Sequence, residues 1–327
     1  MKSNNNHDGL LHAYLLDGSG GAKKLTWKDI GGTHPKGSFL WLHFDYSRSP
    51  AREWITKKGN LNKLVAKALL TEETRPRATV FQDGLLLALR GVNLNPGSDP
   101  EDMVAIRVWM EPSRIISTRR RDLLSIDDLV EDIEKGPCPT TPGEFLVDLC
   151  DTLTIRMSHV IEDVEETADQ LEEKVMEAKS HELRMALASL RRQTITLRRY
   201  LAPQREAMSH LQVEKVNWLT DADRVRLREV SDRLIRHIED LDAIRERAAV
   251  THEELISRLS EQLNSRMYIL SLAAAIFLPL SFLTGLFGIN VGGIPGSEHP
   301  YAFPVFVGSL SIVAFGLILL FKKKKWL

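Results

Sequence analysis

Hydrophobic positions divide the chain into three parts with different patterns. Up to about residue 140, short apolar runs alternate with helical patterns and turn residues, whereas helical periodicity prevails from residue 144 to about residue 270. Two long apolar segments follow near the carboxyl end. Because alternating strand and helix patterns favour a sheet with flanking helices, we predict an α/β region, a helical region and two membrane spans.

Six runs in the first part are typical of strands, and three helical patterns lie between them. Asp83-Gly84 separates two of these runs and indicates a tight hairpin. We therefore predict a mixed sheet with flanking helices. The predicted strands are 12–16, 38–45, 78–82, 85–93, 103–110 and 115–118, and the predicted helices are 51–58, 61–70 and 123–135.

Three longer helices are predicted beyond residue 140. The first two cover 144–179 and 181–216, and Pro203 should kink or interrupt the second. The third begins at the capping signal Thr220-Asp221 and has no proline before Pro279. Its apolar and small residues recur about every 3.5 residues, so it packs on its own domain or also against copies of itself. This stripe comprises Leu234, Ile238, Leu241, Ile244, Ala248, Leu255, Leu259, Leu263, Met267 and Leu270.

The apolar segments 269–287 and 302–321 contain no charged residue and no histidine. At ~1.5 Å per residue, each is as long as the hydrocarbon core of a bilayer is thick, ~30 Å. Arg266 precedes the first segment and the lysines 322–325 follow the second, whereas the loop 288–301 has no lysine or arginine. The positive-inside rule therefore predicts a multi-pass protein with both termini in the cytoplasm.

The stripe of the third helix continues into the first span as small, apolar or hydroxylic residues. Two helices cannot enclose a pore, so a channel would need several copies around an axis. A hydrated ion could pass such a surface, and apolar rings could gate it by dewetting. Ordinary packing of small residues in lipid is the alternative. The predicted pore-lining residues are Met267, Leu270, Ser271, Ala274, Leu278, Ser281 and Gly285.

Composition excludes several classes of function. The 43 basic and 44 acidic residues nearly balance, whereas a nucleic-acid-binding protein usually has a basic excess. No Walker-type loop points to ATP, and no nucleophile–base pair or catalytic metal motif points to an enzyme. Two cysteines outside any C-x-x-C pair indicate a reducing compartment, and the polar amino terminus lacks a signal peptide.

The first span ends in the step Gly288-Ile289-Asn290. The side-chain oxygen of Asn290 can accept hydrogen bonds from the water around a cation. Several copies would form a neutral polar ring, which suits ions that dehydrate reluctantly. A helix cap or turn residue is the alternative role for this asparagine.

A glycine-x-asparagine step at the end of the first of two carboxyl-terminal spans resembles the CorA family of divalent-cation transporters. The usual motif there is Gly-Met-Asn, and the aliphatic middle residue with the following Gly-Gly-Ile-Pro-Gly is similar to the zinc-transporter branch of that family. The segments ETRPRA (73–78), STR (117–119), LVDLCD (146–151) and RRYLAPQR (198–205) also resemble that branch. The resemblance therefore covers nearly the whole chain.

This resemblance implies an α+β membrane protein of the bacterial inner membrane. A homopentamer would have a cytoplasmic α/β/α funnel domain and a long stalk helix continuous with the first of two transmembrane helices. The transported ion would be Zn²⁺, also Cd²⁺, with Ni²⁺ or Co²⁺ as further candidates, in an uptake stimulated by a proton gradient. The ion entrance would be formed by Gly288, Ile289, Asn290 and Glu298.

Alternatives remain open within and outside this family. A Mg²⁺/Co²⁺ channel of the same fold is disfavoured by the departure from Gly-Met-Asn, and zinc efflux would need a coupling device that the sequence does not reveal. Neither span holds an ionisable residue that could carry a proton. A membrane-anchored coiled-coil scaffold without ion flux is the third alternative.

Zinc prefers histidine and cysteine ligands. The ten histidines are scattered and include no H-x-x-x-H pair. His252 and Glu253 lie on or beside the inner face of the predicted stalk, and we hypothesise that either contributes to an intracellular ion site.

The predicted domains follow from these observations. They are a cytoplasmic α/β domain (1–140), a cytoplasmic helical hairpin (141–219), a stalk helix (220–268), a pore-lining transmembrane helix (269–287), an outer loop with the Gly-Ile-Asn step (288–301), a second transmembrane helix (302–321) and a basic cytoplasmic tail (322–327).

Overall fold

A computed structural model describes residues 8–72, 75–81, 83–177, 181–214, 216–288, 296 and 299–324. Contacts between residues divide the chain into two compact units, Met1–His252 and Glu253–Leu327. The first unit holds the sheet and most of the helical region, and the second holds both long apolar segments.

The first unit contains one seven-stranded sheet with the strand order β2-β1-β3-β7-β6-β5-β4. β3 and β7 are parallel, and the other neighbouring strands in this sheet are antiparallel. The mixed sheet is therefore confirmed. Its strands are β1 Leu10–Leu16, β2 Ala22–Lys24, β3 Phe39–Asp45, β4 Arg77–Phe81, β5 Gly84–Gly91, β6 Val104–Glu111 and β7 Arg114–Arg119.

The six predicted strands agree with the structure to within two residues at each end, and Phe81 pairs with Gly84 across the predicted hairpin. The sequence did not indicate β2, which is an exposed edge strand of three residues. Short helices connect β3 to β4: α1 Ser49–Glu53, continued by a π-helical turn at Trp54–Lys58, and then α2 Lys63–Leu69. α3 (Leu124–Lys135) follows β7, the last strand along the chain.

Helices cover both faces of this sheet. Side chains alternate between the faces of a strand, and on one face Leu42 of β3 shares a buried cluster with Leu69 of α2. On the other face, Trp41 contacts Phe145 of α4 (Pro142–Glu177), with ring centroids 4.9 Å apart. β3 is therefore buried on both sides, as the α/β/α prediction requires.

Two histidines lie side by side on the same face of the sheet as Trp41. His12 pairs with His43 in the strand register, and their ring centroids are 5.9 Å apart. Ser117 Oγ lies 2.7 Å from His43 Nδ1 and accepts a hydrogen bond from Trp41 Nε1 at 2.9 Å. Burial lowers the pKa of His12 to about 4 and that of His43 well below its usual value, so both are neutral near pH 7.

Acid should destabilise the fold through this pair. The unfolded chain binds protons at histidine with a pKa of about 6.5, whereas folded His12 binds them only near pH 4. The free energy of unfolding should therefore fall as the pH drops from about 6.5 to about 4, by about 1–3 kcal/mol from His12. Urea unfolding across this range should show a smaller fall in His12→Gln, and the exposed His210→Gln should behave like wild type. Equal pH dependence in all three proteins would contradict this.

Two helices complete the helical region before the longest one begins. α4 and α5 (His181–Val213) match the predicted bounds to within three residues. Pro203 was predicted to kink or interrupt α5: the interruption is wrong, because the helix continues through Pro203, and the kink stays a prediction. Its neighbours hold this turn in place: Leu201 is fully buried, and Gln204 Oε1 accepts a hydrogen bond from the Arg90 N–H of β5 at 2.7 Å.

The first part of α6 (Asp221–Gly288) runs beside α4, in the same direction, joined by polar contacts. Partly exposed ion pairs contribute little to stability, so these contacts chiefly fix the register of the two helices. The contacts that join α4 to α6 are Asp148–Arg226 at 2.8 Å, Asp151–Arg233 at 2.6 Å, Ser158–His237 at 2.9 Å and Glu172–Arg247 at 2.9 Å.

The prediction of one continuous long helix is confirmed, since α6 extends from Asp221 to Gly288 without a break. α7 covers Ala302–Lys323. Among the described residues, α6 and α7 are the helices that are long and apolar enough to cross a membrane.

Candidate ion pathway

The apolar stripe of α6 changes its environment along the helix. In the first unit, Leu234, Leu241 and Ala248 are at most 4% exposed, so this part packs on its own domain. In the second unit, Met267 is 66% exposed and Leu270 is 71% exposed. The part of the stripe around Met267 and Leu270 is therefore the part that is free to pack against copies of the same chain.

All seven predicted pore-lining residues are exposed on the single chain, from Met267 to Gly285. Their spacing places them along one face of α6, because residues three, four and seven apart share a face. The exposed side chains on this face are apolar or hydroxylic, as predicted from the sequence. The face can line a hydrated pathway only when other copies of the helix surround the axis.

The opposite face of α6 packs against α7. Leu272, Ala273, Ile276, Leu280 and Leu283 are half-buried there. Phe287 contacts Phe306 of α7, with ring centroids 5.4 Å apart. The chain therefore covers one side of its first span with its second span and leaves the predicted pore side uncovered.

On α7, half-buried residues recur every three or four positions, which gives this helix one contact face. They are Ala302, Phe306, Leu310, Ala314, Leu317 and the buried Phe321.

The end of the second unit at which α6 ends and α7 begins holds an apolar pocket of about 690 Å³. Thr284 and Gly288 of α6 line it, together with Phe306 of α7 and the connecting residues His299 and Tyr301. His299 Nδ1 accepts a hydrogen bond from the Tyr301 N–H at 3.3 Å. Sequence reasoning did not single out His299 or Tyr301, and their position just beyond the Gly-Ile-Asn step was the available signal.

Three of the four residues predicted for the ion entrance lie outside the described residues. They are Ile289, Asn290 and Glu298. The fourth, Gly288, is the last residue of α6 and is exposed. The role of this set stays a prediction from the sequence.

The predicted cytoplasmic ligands, His252 and Glu253, are consecutive residues of α6. His252 is half-buried and Glu253 is exposed. Within the described ranges, no group of three histidine, cysteine or acidic side chains is placed to hold a metal ion. A metal site at these two residues therefore stays a prediction and would need further ligands.

Comparison with known proteins gives consistent matches along the chain. The family described as "CorA-like Mg2+ transporter protein" matches residues 36–323. The chain is 41% identical over 321 residues to "Zinc transport protein ZntB" of Pectobacterium carotovorum subsp. carotovorum (strain PC1), which covers 98% of this chain and 97% of that relative.

Solved structures match both the fold and its extent. The structure of the full-length CmaX protein is 38% identical, with a TM-score of 0.86, over 99% of this chain and 100% of that chain. The complete structure of the CorA magnesium transporter from Methanocaldococcus jannaschii has a TM-score of 0.83 at 18% identity, over 96% of this chain and 98% of that chain, and this likeness concerns the fold alone.

Proposed function

The chain belongs to the CorA-like transporter family, and from this premise we propose that it moves Zn²⁺ across the bacterial inner membrane through a homopentameric pore. The exposed face of α6 is the observation that supports this most directly. Its seven predicted pore-lining residues are uncovered, while the opposite face packs on α7. Five copies would enclose a pathway with the α6 faces inside and the α7 helices outside.

The proposed pathway carries ions with their water. The described part of its lining offers hydroxyl groups at Ser271 and Ser281 but no charged ligand. A bare divalent ion would lose its hydration there without compensation, so a hydrated ion is the species that this surface suits. Met267 and Leu270 are the apolar rings at which dewetting would close the pathway.

Zinc rather than magnesium is proposed as the principal ion. The family description names Mg²⁺, whereas the relative that is 41% identical is named for zinc transport. The Gly288-Ile289-Asn290 step differs from Gly-Met-Asn by its aliphatic middle residue, which resembles the zinc-transporter branch. Cd²⁺ is proposed as a further substrate, and Ni²⁺ and Co²⁺ as additional candidates, because the resemblance to the zinc-transporter branch implies them.

Uptake is the proposed direction, with both termini in the cytoplasm. A membrane potential that is negative inside favours cation entry by ~2.3 kcal/mol per charge per 100 mV. Stimulation by a proton gradient is part of the proposal, but neither apolar segment holds a residue that could carry the proton. The proton would therefore act on a group outside the two spans.

Purified protein in liposomes tests the proposed function. We expect Zn²⁺ influx, measured with an internal zinc dye, and a loss of at least about tenfold in Asn290→Ala, because a neutral polar ring at the entrance would be lost. Asn95→Ala, in a loop of the first unit, is the matched control. The assay is repeated with a Mg²⁺ dye and with an imposed pH gradient.

Each result of this assay selects one function. Zinc influx that collapses only in Asn290→Ala supports the transporter and the entrance. Magnesium influx without zinc influx would assign the chain to the magnesium channels of this fold. No influx of either ion from an intact oligomer would favour the scaffold.

A further inference from the structure

A pocket of about 450 Å³ lies on the side of the sheet that α1 and α2 cover, within the first unit. Two tryptophans, Trp27 and Trp54, line it. Both contact the buried Phe44 of β3, with ring centroids 5.8 Å and 5.0 Å away from that of Phe44. The pocket therefore has an aromatic lining that is anchored to the core, and its volume lies in the range of small-molecule sites.

A π-helical turn positions one of the two tryptophans. The turn covers Trp54–Lys58 and closes with a hydrogen bond from the Gly59 N–H to the Trp54 carbonyl at 2.7 Å. A β-carbon at Gly59 would lie 3.0 Å from the Trp54 ring, so the ring packs closely over a residue that has no side chain. The same turn brings Lys58 to the pocket. Such turns are rare and occur frequently at functional sites.

The charged residues that line the pocket favour an anion. Lys28 and Lys58 line it with exposed side chains, and Asp8 and Glu53 are its two carboxylates. Glu53 already pairs at 3.8 Å with Lys57, which does not line the pocket. Two lysines therefore face one remaining carboxylate. They would repel a cation that lay on the tryptophan rings, whereas they would attract a phosphate.

The aromatic and charged parts of the pocket match different parts of one class of ligand. Trp27 and Trp54 are half-buried, so each packs against the core and keeps part of its surface exposed. Nucleic-acid bases of every kind stack on aromatic side chains. A carboxylate can accept a hydrogen bond from a ribose hydroxyl, and lysine binds phosphate as a point charge. A base, a ribose and a phosphate thus find complementary groups in this pocket.

We propose that this pocket binds a nucleoside monophosphate. The base would lie on Trp27 and Trp54, the ribose beside Asp8, and the phosphate between Lys28 and Lys58. Two lysines suit a single phosphate, and the sequence has no Walker-type loop, which holds the phosphates of a triphosphate. Binding at this site needs no transported ion and is independent of the proposed function.

Equilibrium dialysis of the full-length protein in detergent against AMP, GMP, CMP and UMP tests the site. We expect saturable binding of at least one of them, at one molecule per chain, with quenching of tryptophan fluorescence. The matching ribonucleoside and inorganic phosphate should each bind at least about tenfold more weakly, because each reaches only one part of the pocket. Binding of either of them as tightly as the nucleotide would overturn the proposed ligand class.

Lys28→Gln/Lys58→Gln removes the proposed phosphate contacts. The affinity for the nucleotide should fall by at least about tenfold, since two charge-assisted contacts would be lost. Both side chains are exposed, so the fold should be retained. Lys36→Gln/Lys63→Gln is the matched control, because it removes the same charge from two exposed lysines that do not line the pocket. The control should bind the nucleotide as wild type does.

Gly31→Leu tests the space in the pocket. Gly31 lines the pocket, and a β-carbon at this position would meet no atom within 4 Å, so the leucine would take up open space without a clash. Gly32→Leu, one position away and outside the lining, is its control. We expect a loss of affinity of at least about tenfold in Gly31→Leu and little change in Gly32→Leu. The site would be overturned if none of the four nucleotides bound saturably, or if wild type and Lys28→Gln/Lys58→Gln bound them equally.

Discussion

Modification of a cysteine at position 274 is expected to stop zinc influx almost completely. Three consecutive alanines lie in the first half of the first span, and only Ala274 is exposed, whereas Ala273 and Ala275 are half-buried. A charged methanethiosulfonate reagent reacts with thiols in water. If the exposed face lines a hydrated pathway, the reagent will reach Ala274→Cys, and the bulky charged adduct will obstruct all further passage.

The native cysteines are expected to react little with the reagent. Cys138 and Cys150 are buried, and burial raises the pKa of both thiols, so neither forms the reactive thiolate readily. The variants Ala273→Cys and Ala275→Cys are the matched controls, with the same residue type one position away. We expect a loss of influx of more than about tenfold in modified Ala274→Cys and little change in the controls. Equal block at all three positions, or none at Ala274, would contradict the assigned pore face.

The sequence predicts those elements of the fold that depend on local pattern. The strands in the first 140 residues and the continuous α6 depend on apolar periodicity and capping, and the structure confirms them. The edge strand β2 was missed because its three exposed residues, Ala-Lys-Lys, have no apolar alternation. The strand order also remained open, since the parallel pairing of β3 with β7 joins segments about 75 residues apart.

The candidate ion pathway likewise has one part that the sequence predicts and another that it leaves open. The exposed face of α6 could be predicted because a helical stripe is a local pattern. The predicted entrance motif could be recognised from the sequence, whereas the proposed ring of asparagines would form only among copies of the chain.

The largest single loss of stability is expected from Trp41→Ala. Trp41 has no exposed surface and lies between the sheet and α4, against Phe145 at 4.9 Å and stacked on Tyr14 at 5.9 Å. Its indole N–H also donates to Ser117, which holds His43. Replacing a buried tryptophan by alanine typically costs about 3–5 kcal/mol, and a buried hydroxyl that loses its donor adds to the cost.

That loss is a large fraction of the ~5–15 kcal/mol by which a typical domain is stable. The first unit of Trp41→Ala should therefore unfold at a much lower urea concentration than that of wild type. Pulse proteolysis of the full-length protein in detergent measures the free energy of this opening. Trp218→Ala is the matched control, because its indole makes one partly exposed hydrogen bond to the Asp83 carbonyl at 3.2 Å, and it should cost under about 1.5 kcal/mol. A loss from Trp41→Ala no larger than from Trp218→Ala would mean that Trp41 does not join the sheet to α4. Zinc influx should fall with the folded fraction of Trp41→Ala, whereas the modified Ala274→Cys protein should lose influx while remaining fully folded.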